Sequence, residues 1–235
     1  MKKIRTVYFI LIALCLVALA TTFITGYLTD EKNANSGDLT IGKIEVSEVD
    51  VYYMNGATKV QYGLVTIGTG GTQQTKKGVY DVNIYDEISP DYVKNLCVDF
   101  YVKANVNAYL RVTIQDQVVR KIPNYQGVIT ETSIRHEPLE FNFDSESWHK
   151  QVHGNDARNI YYYYKTKLVD TTYAPIKVSF IIPKDTFGIL VDGHQININE
   201  NYFLHLGFTY ELVQADFGGP EYNWGLQTRP WGGNW

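Results

Sequence analysis

The chain has 235 residues, of which 45% are hydrophobic, 20% charged and only seven proline, a composition that excludes a disordered or collagen-like polymer and fits a globular protein. Its formal net charge is -4. Residues 1 to 26 hold Lys2, Lys3 and Arg5 without an acid, so the remainder carries 18 basic against 25 acidic groups and lacks the positive footprint of a nucleic-acid binder.

At the start, MKKIR precedes VYFILIALCLVALA, a cationic region followed by fourteen unbroken apolar residues. This reads as a secretory signal peptide helix over residues 1–26. Ala18-Leu19-Ala20 offers one cleavage site and the bond after Gly26 a second. TTFIT lengthens the apolar stretch toward the roughly 20 residues of a membrane span, so a retained signal anchor is the alternative. Cys15 belongs to the apolar region, and Leu14 before it is too bulky for a lipoprotein signal. After cleavage Cys97 is the one remaining cysteine, and the chain has no Asn-x-Ser/Thr acceptor. Export from a bacterium or archaeon follows from the two together.

Residues 27–38 are polar and read as an N-terminal arm. From there, windows rich in Val, Ile, Tyr, Phe and Thr with period-two alternation predict strands at 39–46, 59–67, 79–85, 96–102, 108–114, 127–131, 139–143, 160–165, 175–182, 194–198 and 202–213. Turn signals separate them, among them Gly68-Thr69-Gly70-Gly71, Ser89-Pro90-Asp91, Val106-Asn107, His153-Gly154-Asn155-Asp156 and Asp192-Gly193. The expectation is an all-β fold, one antiparallel β-sandwich of jelly-roll type over residues 39–216 with short loop helices. Residues 217–235 form a Trp/Gly-rich tail that either docks on the domain or contacts a glycan or a neighbour.

Alternation in AYLRVTI sends Leu110, Val112 and Ile114 to the core and Tyr109, Arg111 and Thr113 to the other face, where Arg111 should pair with an acid or cap a loop. Tyr161 to Tyr164 place two tyrosines on each face. Tyr161, Tyr163, Trp224, Trp231 and Trp235 are the candidate contact aromatics.

Signs of catalysis are sparse. His149 and His153 have the i, i+4 spacing of a zinc-hydrolase helix, but Lys150 stands where the general-base glutamate belongs, and the segment reads as a loop or a single helical turn. They are the only metal candidates, and weak ones. There is no nucleophile elbow, phosphate loop or dinucleotide fingerprint, and no cofactor is implied.

A resemblance runs through four segments: GYLTDEKNANSGDLTIGKIEV (26–46), FYVKANVNAYLRVTI (100–114), YYYYKTKLVDTTYAPIKVSFIIP (161–183) and ELVQAD (211–216). Together they resemble the TasA/camelysin family of bacterial biofilm matrix proteins, which a SipW-type signal peptidase processes. Gly26 replaces the alanine usual before the cut. The resemblance implies a protein that pairs with copies of itself and with other matrix proteins. After cleavage an arm containing Tyr27, Leu28, Thr29 and Asp30 would insert as a donor strand into the next subunit, and Tyr109 and Arg111 would belong to the family-pattern strand. It also carries the label of a camelysin-like metalloprotease, which the missing glutamate disfavours. An anchored surface module that binds a glycan or a host surface is the further alternative.

Overall fold

The computed structural model describes residues 43–67, 74–154, 157–169 and 174–235. The signal peptide, the arm with Tyr27, Leu28, Thr29 and Asp30, the start of the strand predicted at 39–46 and the Gly68 to Gly71 turn lie outside the described residues. The fold is all-β: of the described residues 53% are strand and 5% helix, in antiparallel sheets.

One sheet has four strands in the order β10-β5-β1-β2, with β1 Ile44–Asn55, β2 Thr58–Gln61, β5 Cys97–Ala104 and β10 Ile176–Ile181. The other has seven. Its main path runs β3-β4-β13-β6-β9-β8, with β3 Leu64–Ile67, β4 Gln74–Asn83, β6 Ala108–Pro123, β8 Trp148–Val152, β9 Ile160–Tyr164 and β13 Tyr202–Gln214. β7, Ile129–Ile134, joins the far half of β6. β11, Leu190–Val191, and β12, His194–Gln195, make a small hairpin whose turn residues Asp192 and Gly193 both have positive φ, 50° and 77°. That is the pair of left-handed conformations a two-residue hairpin turn requires.

The sandwich closes because alternate residues of both sheets are apolar. Val98, Phe100 and Val102 of β5 with Val178 and Phe180 of β10 face Leu110 and Val112 of β6 and Leu204 and Leu206 of β13. Aromatic rings stitch the layers: Phe180 lies 4.7 Å from Trp148 and 5.1 Å from Tyr162, and Phe100 lies 6.2 Å from Phe208, centroid to centroid. Burial pushes the Tyr162 hydroxyl up to about 12.

Several local expectations change. The strand expected at 39–46 runs on as β1 to Asn55, and the one expected at 108–114 runs on as β6 to Pro123. The window 59–67 is two strands, β2 and β3, each pairing in a different sheet. The chain crosses between them at Tyr62, which is buried and donates its hydroxyl to the Asp91 carbonyl at 2.7 Å. Residues 139–143 are not a strand; Leu139 is buried, and only Phe143 forms a bridge, to Ile181. Of 194–198 only His194–Gln195 is strand. The segment read as a loop or helical turn around His149 is instead β8. Trp148 explains this: it is buried in the core, donates its indole N–H to the Ser179 carbonyl at 2.8 Å, and so locks an extended segment against the tyrosine strand β9.

The outer face of the four-stranded sheet carries a charge ladder. Asp50 and Asp99 stand directly opposite each other and both are buried. Lys59 caps Asp50, Gln61 donates an amide N–H to it at 3.0 Å, and Lys177 pairs with Asp99 at 2.8 Å. The hydrogen bond to Asp99 raises the Lys177 ammonium above its ordinary value. Directly opposed carboxylates repel, and the two lysines neutralise them.

Candidate functional site

The register of the seven-stranded sheet draws one row across its outer face: His149 opposite Tyr163, Tyr163 opposite Arg111, Arg111 opposite Glu211. Arg111 is therefore on the outer face and paired with an acid, its guanidinium 2.5 Å from Glu211 Oε2. Yet this face is covered. Tyr109 and Tyr163 are each 2% exposed and Arg111 is 9% exposed.

The cover is the tail. It leaves β13 through Phe217 and Gly218, both left-handed, and forms the short helix α1, Gly219–Trp224, which starts with Pro220 in its first turn and ends at Gly225 in the left-handed conformation. Such an end suits glycine. At Gly219 only glycine fits, since a Cβ there would lie 2.0 Å from the Gln214 carbonyl oxygen. The turn lays three tryptophans on the sheet. Trp235 is 5.0 Å from Tyr109, Trp224 is 5.6 Å from Tyr163, and Trp231 is 6.3 Å from both Tyr163 and His149. They also touch one another, Trp235 lying 5.9 Å from Trp224 and 5.7 Å from Trp231.

Arg111 sits inside this aromatic box. Its guanidinium is 4.2 Å from the Tyr161 ring and 4.9 Å from that of Trp224, whose indole N–H donates to Glu211 at 3.2 Å. A planar cation held between ring faces and a carboxylate is stabilised by both, while its buried Nε has no hydrogen-bond partner among the described residues. Desolvation raises the Tyr163 hydroxyl, against the opposing pull of Arg111, and desolvation lowers the His149 imidazole, helped by Lys165. Of the candidate contact aromatics, Tyr163 is thus enclosed, while Tyr161, Trp224, Trp231 and Trp235 are partly exposed with faces turned to the chain's own sheet.

His149 and His153 do not form a helical pair. Extended chain separates residues i and i+4 by about 13 Å. Their rings lie near different aromatics, Trp231 for His149 and Tyr161 for His153 at 5.5 Å. Among the described residues no group of three or more His, Cys, Asp or Glu is placed to hold a metal ion.

Further along the same face, β6 and β13 hold residues that sequence reading passed over. His205 is buried between Asp81 of β4 and Gln117 of β6, its Nε2 3.8 Å from Asp81 Oδ1. Desolvation lowers its imidazole despite Asp81. Asp81 in turn pairs with Lys121 at 2.9 Å. Beside this cluster Gly207, between Val79 and Gln115, leaves the floor of a polar trough of about 420 Å³. A histidine and a glycine at outward positions of an apolar strand were the signal in YFLHLGFTY.

In comparisons with family models, curated proteins and solved structures, nothing matches this chain.

Proposed function

We propose that the protein is exported and works as a structural component of an extracellular matrix or surface fibre, joined to copies of itself by strand addition. In this reading it acts by binding rather than by catalysis, and residues 1–26 are removed by a SipW-type signal peptidase. The four-segment resemblance supports this, together with its implied jelly-roll sandwich. So does an unfinished sheet border. β10 lies at the margin of the four-stranded sheet. Its far half is covered, because Trp148 donates to the Ser179 carbonyl and Ile181 bridges to Phe143.

Its near half, Ile176 to Val178, has no further strand beside it among the described residues. This border carries the reading: exposed backbone donors and acceptors accept an added strand, and alternate side chains of that strand fill pockets. The short free stretch matches the short apolar part of the arm, Tyr27 and Leu28, ahead of the polar run DEKNANSGD. Head-to-tail addition does not close on itself and gives filaments.

Electron microscopy and sedimentation of the processed protein test this. Deleting Tyr27 to Ser36 should yield a folded monomer that no longer polymerises, and filaments from the truncated chain would end the proposal. A retained leader with a permanently monomeric ectodomain would favour the anchored binding module.

A further inference from the structure

We propose that the trough over Gly207 is a binding site for an acidic sugar unit, a ring that carries one carboxylate and neighbouring hydroxyls. The trough exists because β6 changes partners midway. β9 pairs with β6 only at Arg111 and Val112, and the pairing of β7 with β6 begins at Val118, opposite Ile134. Between them no described strand flanks Thr113 to Gln117 on that side, so the sheet has a gap there. The space, about 420 Å³, falls in the range of small-ligand clefts.

Its lining selects the chemistry. Lys76 and Arg158 bring two cations against a single lining acid, Asp116, which favours an anion. Gln115 donates its amide N–H to Thr209 Oγ1 at 3.3 Å and Gln117 donates to Ser133 Oγ at 2.8 Å. One N–H of each amide is so engaged, which orients it and leaves its carbonyl oxygen as an acceptor and its second N–H as a donor, the mixed set that hydroxyls match. A bare oxyanion such as phosphate gains nothing from carbonyl oxygens, whereas sugar hydroxyls donate to them. Apolar lining is limited to Val79 and Ile114, which disfavours an apolar ligand. Gly207 keeps the floor flat.

This site does not depend on the assembly reading. The test is calorimetric or NMR titration of the processed full chain with short glucuronate or galacturonate oligosaccharides, and in parallel with neutral glucose oligosaccharides, acetate and inorganic phosphate. Uronate should bind about tenfold more tightly than each of the others. Lys76→Ala, at an exposed position, and Gly207→Ala should each weaken uronate binding several-fold. The new Cβ at 207 has its nearest neighbour, the Gly78 carbonyl oxygen, at 3.5 Å, an ordinary contact, so the fold is kept while the floor rises. Uronate binding no tighter than acetate, phosphate or neutral sugar overturns the proposal. So does uronate affinity unchanged in both variants.

Discussion

Arg111 ties a strand of the seven-stranded sheet to the aromatic cap above it. It sits in a strand whose other face is core, and its charge is met by Glu211 and by the rings of Tyr161 and Trp224. Removing one partner of a buried pair leaves the other uncompensated. Because Glu211 is partly exposed, the cost is moderated. Arg111→Ala should lower stability by about 2–3 kcal/mol in urea unfolding. Arg111→Lys should recover only part of this, since an ammonium lacks the planar stacking face.

Two imidazoles set an acid limit. His149 and His205 both titrate below the ordinary 6.5 in the folded chain, chiefly through desolvation. The unfolded chain therefore binds protons first as pH falls, so their contribution is complete above about pH 6.5 and fades as pH drops toward the folded values. Urea midpoints should fall across that mildly acidic window, and His149→Gln with His205→Gln should flatten the dependence.

Among the elements, the tail invites the most direct experiment. A side chain at Gly219 collides with the Gln214 carbonyl, so Gly219→Ala must swing α1 away from β13. We expect tryptophan fluorescence to shift to the red, with binding of a hydrophobic dye to the uncovered Tyr109 and Tyr163, while far-ultraviolet circular dichroism keeps its β signature. Each aromatic pair lost contributes about 0.5–1.5 kcal/mol. A variant with unchanged fluorescence would mean that the cap is not held by this turn.

Strands were readable from sequence where alternation was strict, as in β5, the first half of β6 and β13, because period two follows from the pleat itself; the continuation of β6 to Pro123 was not. β8 was not, since WHKQV has one core anchor, Trp148, and its strand state depends on a partner that no local pattern names, the tyrosines Tyr161 to Tyr164 of β9. The site was legible in part. Alternation put Arg111 on the face opposite the core, but that this face is roofed depends on a tail more than a hundred residues later, and the trough arises from a change of strand partners along β6, marked locally only by His205 and Gly207 in β13.

On the scale of the whole molecule, the two sheet faces that look outward differ in character. One carries the neutralised ladder of Asp50, Asp99, Lys59 and Lys177, the other the aromatic cap and the polar trough. Disrupting the ladder should not touch the cap. Lys177→Met leaves Asp99 buried without its ammonium, and thermal melting should come several degrees earlier, with tryptophan emission unchanged before the transition. An altered emission would show that the faces are coupled through the core.

β6 and β13 lie side by side over thirteen consecutive paired positions, from Arg120 with Tyr202 to Ala108 with Gln214. A pull directed along these two strands in opposite senses would stress all those cross-links together instead of peeling them one at a time. Such a seam resists tension far better than a short hairpin, a property that the proposed place in a fibre would use.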